Sequence, residues 1–301
     1  MKTIFIDCNP QLGAVWQRVY RADDPPVTIN TTPFAKNDLP QVIGDHAIAI
    51  DDHSYMPTDL VALCKNLKHI VFLGTGAASY MNVAEIEAAG VKVHTIKGYG
   101  DTAVAEQTIA LMMAACRDLA LMDRRIRAGT WQPMEGMQVF GKTLGIVGLG
   151  GIGAEVARIA KGMGMRVVAW NRTKRTDPSA KSVELDDLLQ KSDIISLNLT
   201  LNDETRGFID KARIARMKPG VILVNTARGA LVDEAALIEA LKSGHIRHAG
   251  LDVFHDEPLK ADHPLAGMEN VTLSAHAAFR TLEASMTLLR RAIDIVKGVQ
   301  A

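Results

Sequence analysis

Residues 143–170, TLGIVGLGGIGAEVARIAKGMGMRVVAW, carry glycines at Gly148, Gly150 and Gly153 between an apolar strand-like run and a helical one, with a second strand-like run behind. A strand, a Gly-x-Gly-x-x-Gly turn, a helix and a parallel strand make a βαβ unit. In such a unit the first glycine permits the tight turn, the second lets the backbone approach a pyrophosphate, and the third lets the helix pack on the strand. The amides of Gly151 and Ile152 at the helix N-terminus are then free to bind an anion. A dinucleotide-binding unit is expected here.

The same alternation runs through the chain. Short runs rich in Val, Ile and Leu also begin at residues 4, 47, 69, 91, 166, 193, 221, 249 and 271, with helical segments between them. This is the α/β pattern of parallel βα units with strands covered on both faces. At 301 residues there is room for two core-bearing domains, and 48% hydrophobic residues is ordinary for a globular chain. Lys and Arg number 34, as do Asp and Glu, and no block of one sign stands out. Neither nucleic acid nor an anionic membrane is therefore an expected partner, and any anion site must be local.

Cys8, Cys64 and Cys116 lie far apart with no Cys-x-x-Cys, which encodes neither a disulfide framework nor a zinc site. His245 and His248 lack a third ligand or a His-Glu-x-x-His context, so no metal is expected. The N-terminal MKTIFIDCNP meets a charge and a proline before a signal sequence could form, and no run is long enough to span a bilayer. The expected location is cytoplasmic.

Two helices interrupt the rhythm. From Asp101, read as an N-cap, one helix should run to about Ala128, and its uncharged stretch QTIALMMAAC needs burial between domains or subunits. Near the C-terminus Leu282, Met286, Leu289, Ile293 and Val296 recur at spacings of 4, 3, 4 and 3, an apolar stripe on a helix expected to end near Gly298. Met112, Met113 and Met286 occupy core-like helical positions and should fill gaps.

The strand RVVAW ends on Asn171, Arg172, Thr173, Lys174 and Arg175, where an acid would hold both ribose hydroxyls and repel a 2′-phosphate. An uncharged Asn followed by bases does the reverse. Arg172 can fork across phosphate oxygens, Thr173 can donate, and Lys174 or Arg175 adds charge. NADP(H) is expected in preference to NAD(H).

Three further segments bear on chemistry. Arg228 follows the strand VILVN, Glu257 follows the strand ending at Phe254, and His276 ends the run VTLSAH. In a doubly wound sheet these carboxyl ends lie beside the nucleotide. Here the chain resembles the D-isomer-specific 2-hydroxyacid dehydrogenase family. LKHIVFLGTGA, GYGDTAVAEQTIALMMAACR, GKTLGIVGLGGIG, VNTARGALVDEAAL, GLDVFHDEPL and LSAHAA look like its landmarks, in its order and over nearly the whole chain.

The resemblance implies that Arg228 binds the substrate carboxylate and polarises its ketone, that His276 donates the proton, and that Glu257 orients His276. It implies that backbone near Gly76 and Ala77 helps hold the carboxylate. It places Thr226, Ala227 and Asp252 at the nicotinamide, with Thr200 and Thr205 among the cofactor contacts. Reduction of a 2-keto acid turns the ketone oxygen into an alkoxide, so a fixed cation and a proton donor are the groups it needs. Histidine titrates near neutrality, and a neighbouring carboxylate generally favours the protonated ring.

The chain departs from the family pattern at Ser79, where many members have Asp, and at Thr200, where proline is usual; Phe279 lies where members vary with substrate and should narrow the pocket. The resemblance implies two Rossmann-like doubly wound parallel-sheet domains. Residues 1–97 with 281–301 form the substrate-binding domain, into which the NADP(H)-binding domain, 98–280, is inserted. The helix from Asp101 is then a linker and the contact of a homodimer.

The expected activity is NADPH-dependent reduction of a small 2-keto acid of glyoxylate or hydroxypyruvate type to the D-2-hydroxy acid. The alternatives are an oxidative phosphoglycerate or other 2-hydroxyacid dehydrogenase, and a non-catalytic NAD(P)-sensing protein like the C-terminal-binding corepressors. No regulatory extension of the kind found in longer phosphoglycerate dehydrogenases is read in the chain, so serine-pathway feedback is not expected.

Overall fold

Every neighbouring pair of strands is parallel in the two sheets of the computed structural model, which describes residues 1–300. The chain forms two compact units, Met1–Gly100 with Arg280 onward, and Asp101–Phe279. The first contains β1 (Thr3–Phe5), α1 (Pro10–Val19), β2 (Val27–Ile29), α2 (Leu39–Ile43), β3 (Ile48–Asp51), α3 (Thr58–Val61), β4 (His69–Phe72), α4 (Val83–Ala88) and β5 (Lys92–Thr95). Its sheet order is β2-β1-β3-β4-β5.

The second unit begins with α5 (Asp101–Cys116) and α6 (Leu119–Arg127), followed by β6 (Thr143–Val147), α7 (Gly151–Gly162), β7 (Arg166–Trp170), β8 (Lys181–Ser182), α8 (Leu185–Lys191) and β9 (Ile194–Leu197). It continues with α9 (Lys211–Arg216), β10 (Val221–Asn225), α10 (Glu234–Ser243), β11 (Ile246–Leu251), α11 (Pro264–Gly267) and β12 (Val271–Leu273). The sheet order is β12-β11-β10-β9-β6-β7-β8, so strand order reverses beside β6. In open α/β sheets ligands bind outside the carboxyl ends of the strands at such a reversal. The final helix, α12 (Leu282–Gln300), belongs to the first unit.

Burial explains why these runs are strands. All residues of β3, β6, β9 and β10 are buried, as expected of parallel strands with helices on both faces. The ten runs marked by the sequence all form strands. The other two, β2 and β8, are short, largely exposed edge strands with no apolar run to announce them.

The helix expected over 101–128 is two helices. Asp118 adopts a left-handed conformation (φ 50°) between α5 and α6, and its buried carboxylate accepts from Arg247 Nη2 at 3.0 Å and faces His248 Nδ1 at 3.1 Å. A continuous helix could not turn that carboxylate onto β11. The uncharged residues of α5 bury Ala105, Leu111, Met112 and Ala115 within the core of the second unit beside α7. Asp101 stands at the first helical position, not at the cap.

The units divide a few residues from the expected boundaries of 97/98 and 280/281. Tyr99 packs on the first unit's core, and Lys97 O accepts from Arg291 of α12. Leu289, Ile293 and Val296 of the stripe are buried there and Met286 packs at the edge, while Leu282 stays exposed. Asp24, whose carboxyl is lowered to about 2 chiefly by its hydrogen bonds from Arg290, fastens α12 to the segment after α1 at 2.6 and 2.8 Å. α12 continues past Gly298 to Gln300, whose amide donates to Met1 O and Thr3 Oγ1 and keeps the last turn in place.

Met112 lies in the second unit's core with Met113 against it. The three cysteines are buried and free. No helix among the described residues is long and apolar enough to cross a membrane.

His248 generates a prediction. Burial lowers its pKa below the ordinary 6.5, outweighing the opposing pull of Asp118, with Arg247 and Arg124 adding to the lowering. The unfolded chain therefore takes up this proton first as pH falls, so folding stability should be full above about pH 6.5 and drop below it until the folded-state value is passed. Urea midpoints should fall between about pH 7.5 and pH 5.5 in the wild type. They should fall less in His248→Gln, with part of the slope remaining because burial also lowers His69 and His94.

Candidate active site

The chain leaves β6 through Gly148, whose φ of +102° suits glycine and whose Cβ, if present, would lie 2.6 Å from the carbonyl oxygen of Asn198. A Cβ on Gly153 would collide with the carbonyl of Gly148, so only glycine lets α7 begin this close to its strand. Gly150 caps α7 without a side chain, and a Cβ there would meet no atom within 4 Å. Open space therefore lies beside the first turn of α7, where the amides of Gly151 and Ile152 and the helix dipole favour an anion. These residues fit a dinucleotide pyrophosphate. Asp101 sets its carboxylate against Gly151 at this same end.

The basic run lies at the carboxyl end of β7. Asn171 ties that end to the glycine turn, accepting from Leu149 N at 2.8 Å and donating to Thr173 O at 3.1 Å. Arg172, Thr173, Lys174 and Arg175 are exposed. Arg172 pairs with Glu204, and Arg175 Nη1 donates to Leu149 O at 3.3 Å. In the loop after β9, Thr205 Oγ1 donates to Thr200 O at 2.7 Å, while Thr200 is exposed.

Arg228, Glu257 and His276 follow β10, β11 and β12, neighbours in one sheet of the same unit. Glu257 Oε1 accepts from Phe254 N at 2.9 Å and its Oε2 lies 2.6 Å from His276 Nδ1. Burial raises the Glu257 pKa, but the bonds to His276 and Phe254 and the charges of His276 and Arg228 bring it below its ordinary value. The pair fixes the imidazole so that Nε2 is the nitrogen left for chemistry. Arg228 is half-buried, with Nη1 donating to Ala227 O at 2.7 Å.

Residues not singled out in the sequence hold these groups in place. Asn225, buried at the end of β10, accepts from Ala227 N at 3.0 Å and donates to Arg228 O at 2.9 Å, closing the turn that presents the guanidinium. The buried Thr226 is hydrogen-bonded at 2.7 Å to Thr108 of α5, leaving Ala227 the more accessible of the two.

Asp252 is fully buried. Its Oδ1 accepts from Ser274 Oγ at 2.5 Å and Ala277 N at 3.0 Å, its Oδ2 accepts from Ala278 N at 2.9 Å, and its carbonyl accepts from His276 N at 2.8 Å. Gln107 Nε2 adds a bond to Ser274 Oγ at 3.2 Å. Asp252 thus acts on the site through the loop it encloses, in which His276 has a φ of 48°. That conformation is uncommon for a residue with a Cβ and needs surrounding bonds to persist. An Asp after a strand can signal such a loop, but Ser274 and Gln107 carry no sequence pattern that marks them.

Of the remaining expected positions, Phe279 is half-buried at the end of the second unit. Gly76 and Ala77 lie in the first unit after β4, where a short turn starts and Ser79 N donates to Gly76 O at 3.0 Å.

A family model described as D-isomer specific 2-hydroxyacid dehydrogenase, NAD binding domain, matches residues 109–278. The chain is 36% identical over 277 residues to the hydroxypyruvate reductase of Thermotoga maritima, covering 90% of this chain and 89% of that protein. A solved glyoxylate reductase from Paecilomyes thermophila superposes with a TM-score of 0.87 at 30% identity, over 99% of this chain and 95% of that one. An acyclic imino acid reductase solved in complex with NADPH and D-Arg gives a TM-score of 0.87 at 27% identity, over 100% of this chain and 97% of that one.

The Asp252 geometry sets a stability test. Asp252→Ala strands one hydroxyl and two backbone donors, and should destabilise the second unit by roughly 3 kcal/mol, measured by chemical denaturation. Hydrogen exchange at Ala277 and Ala278 should speed up well beyond that of β10. Unchanged protection at those two amides would count against the role given to Asp252.

Proposed function

The chain belongs to the D-isomer specific 2-hydroxyacid dehydrogenase family, and on that premise we propose that it reduces a small 2-keto acid of glyoxylate or hydroxypyruvate type to the D-2-hydroxy acid with NADPH. The carrying observation is the arrival of Arg228, Glu257 and His276 at three neighbouring strand ends in the unit that holds the glycine turn. The names of the hydroxypyruvate and glyoxylate reductases similar to this chain support the substrate class.

A bound nicotinamide would supply the hydride to the carbonyl carbon. The Arg228 guanidinium binds the keto acid across its carboxylate and ketone oxygen and stabilises charge developing on the latter. His276, held through Nδ1 by Glu257, gives the proton from Nε2 to that oxygen. Glu257 holds its carboxylate form to lower pH than an isolated Glu, so the partner of His276 stays charged in mild acid.

The turn at Gly148, Gly150 and Gly153 and the amides of Gly151 and Ile152 would take the pyrophosphate. The exposed Arg172, Thr173, Lys174 and Arg175 would take the 2′-phosphate, beside Asn171 in place of an acid. The fold neighbour solved with NADPH supports this preference. Thr226, Ala227 and Asp252 would frame the nicotinamide end. Gly76, Ala77 and Phe279 are proposed as substrate contacts.

The second unit also offers an apolar surface for a second copy. Leu119, Ile126, Trp131 and Phe140 are 58%, 55%, 87% and 68% exposed on α6 and the arm that follows it. Large apolar side chains left in water mark association sites, and a homodimer through α6 and this arm is part of the proposed function.

Initial rates with glyoxylate, hydroxypyruvate and pyruvate, each with NADPH and NADH, test the activity. Turnover should favour NADPH, and Arg228→Ala should lower kcat/KM by about 10²-fold or more; a variant as fast as wild type would overturn the role of Arg228. Trp131→Ala combined with Phe140→Ala should weaken self-association by roughly 30-fold or more, seen in sedimentation velocity as a shift from dimer to monomer at micromolar concentration. Retention of the dimer would move the interface elsewhere.

A further inference from the structure

The Arg172–Glu204 pair sits at a particular place in the second sheet. Arg172 follows β7 and Glu204 lies in the loop after β9. In the strand order β9-β6-β7 these are not neighbours, since β6 runs between them and ends in the Gly148 turn. A side-chain pair joining the two loops must cross the carboxyl end of β6, the reversal point where this fold places the ribose next to the pyrophosphate. The pair therefore spans the region that a 2′-substituent would enter.

The loop that carries Glu204 is built to hold its shape. Thr205 Oγ1 accepts from Asn202 N at 2.8 Å and donates to Thr200 O at 2.7 Å, Thr205 N donates to Asn202 Oδ1 at 3.0 Å, and Arg206 N donates to Asn202 O at 2.9 Å. The Arg172 and Glu204 side chains are 77% and 70% exposed, so the pair contributes little to folding.

We propose that Glu204 is a cofactor-selecting residue. It restrains the preference of the basic run for a 2′-phosphate by competing for Arg172 and by holding a negative charge beside the incoming phosphate. The proposal rests on the reading of Arg172 as the 2′-phosphate ligand. A dianionic 2′-phosphate must displace Glu204 from Arg172 and then sit near its carboxylate. A free 2′-hydroxyl carries no charge to repel and can donate to that carboxylate, which supplies from the β9 loop the acceptor absent at the end of β7. Glu204 thus opposes NADP(H) and tolerates NAD(H).

The test uses binding of 2′,5′-ADP and of ADP by calorimetry at low ionic strength, on the full chain as wild type, Glu204→Gln, Arg172→Ala and the double variant. Glu204→Gln should tighten 2′,5′-ADP by roughly three- to tenfold, as expected for removing one charge several ångströms from a phosphate, and should leave ADP unchanged or slightly weaker. The gain should vanish in the Arg172→Ala background.

If Arg172→Ala weakens 2′,5′-ADP selectively while Glu204→Gln changes nothing, or shifts both ligands equally, the role of Glu204 is overturned and the cofactor reading stands. If Arg172→Ala affects both ligands equally, Arg172 is not the phosphate ligand, and both fall. Michaelis constants for NADPH and NADH in the same four proteins should follow the binding pattern.

Discussion

A carboxylate buried as fully as that of Asp252 would be costly unless its lone pairs met donors, and here the donors are the loop that carries His276. The dependence runs both ways. The loop takes its path because Ala277 N, Ala278 N and Ser274 Oγ must reach one carboxyl group, and that path places His276 in the left-handed region with Nδ1 on Glu257. Without the carboxylate the backbone would have no reason to accept the strain at His276. Preorganisation of this kind separates a histidine near a carboxylate from one held with a defined nitrogen available.

The helix α5 does comparable work from the other side. Its uncharged stretch lets it lie deep in the second unit, where Gln107 reaches Ser274 and Thr108 reaches Thr226, so one helix steadies the loops after both β10 and β12. Its end is set by Asp118, which gives up helical geometry to meet Arg247 and His248 on β11. A buried acid shared between Arg and His has many donors and little freedom. The break between α5 and α6 is thus a consequence of satisfying that acid.

How much of this was legible follows from how local each cause is. The ten strands with apolar runs declare themselves because a parallel strand is buried on both faces, and the glycine turn declares itself because Gly148 and Gly153 answer to contacts within one βαβ unit. Arg228, Glu257 and His276 were visible as polar residues closing apolar runs. The edge strands β2 and β8 were not, since strands covered by little need no hydrophobic pattern. Nor was the break at Asp118, which depends on partners about 130 residues away. The same holds for Gln107 and Ser274, whose bond joins residues 167 positions apart.

The basic run after β7 illustrates a different limit. In sequence it signifies by what it lacks, an acid at the end of the strand, but electrostatics depends on charges in space and not in sequence. Glu204, arriving from the β9 loop, returns a carboxylate to the same neighbourhood. Because both partners are exposed, neither folding stability nor the strand ends that carry Arg228, Glu257 and His276 constrain the pair. The Arg228, Glu257 and His276 strand ends are braced by buried hydrogen bonds worth keeping for stability alone, whereas the proposed cofactor preference rests on surface charges that can change without disturbing the fold. On the proposed function, the chemistry of the site and the choice of its reductant are therefore physically separable.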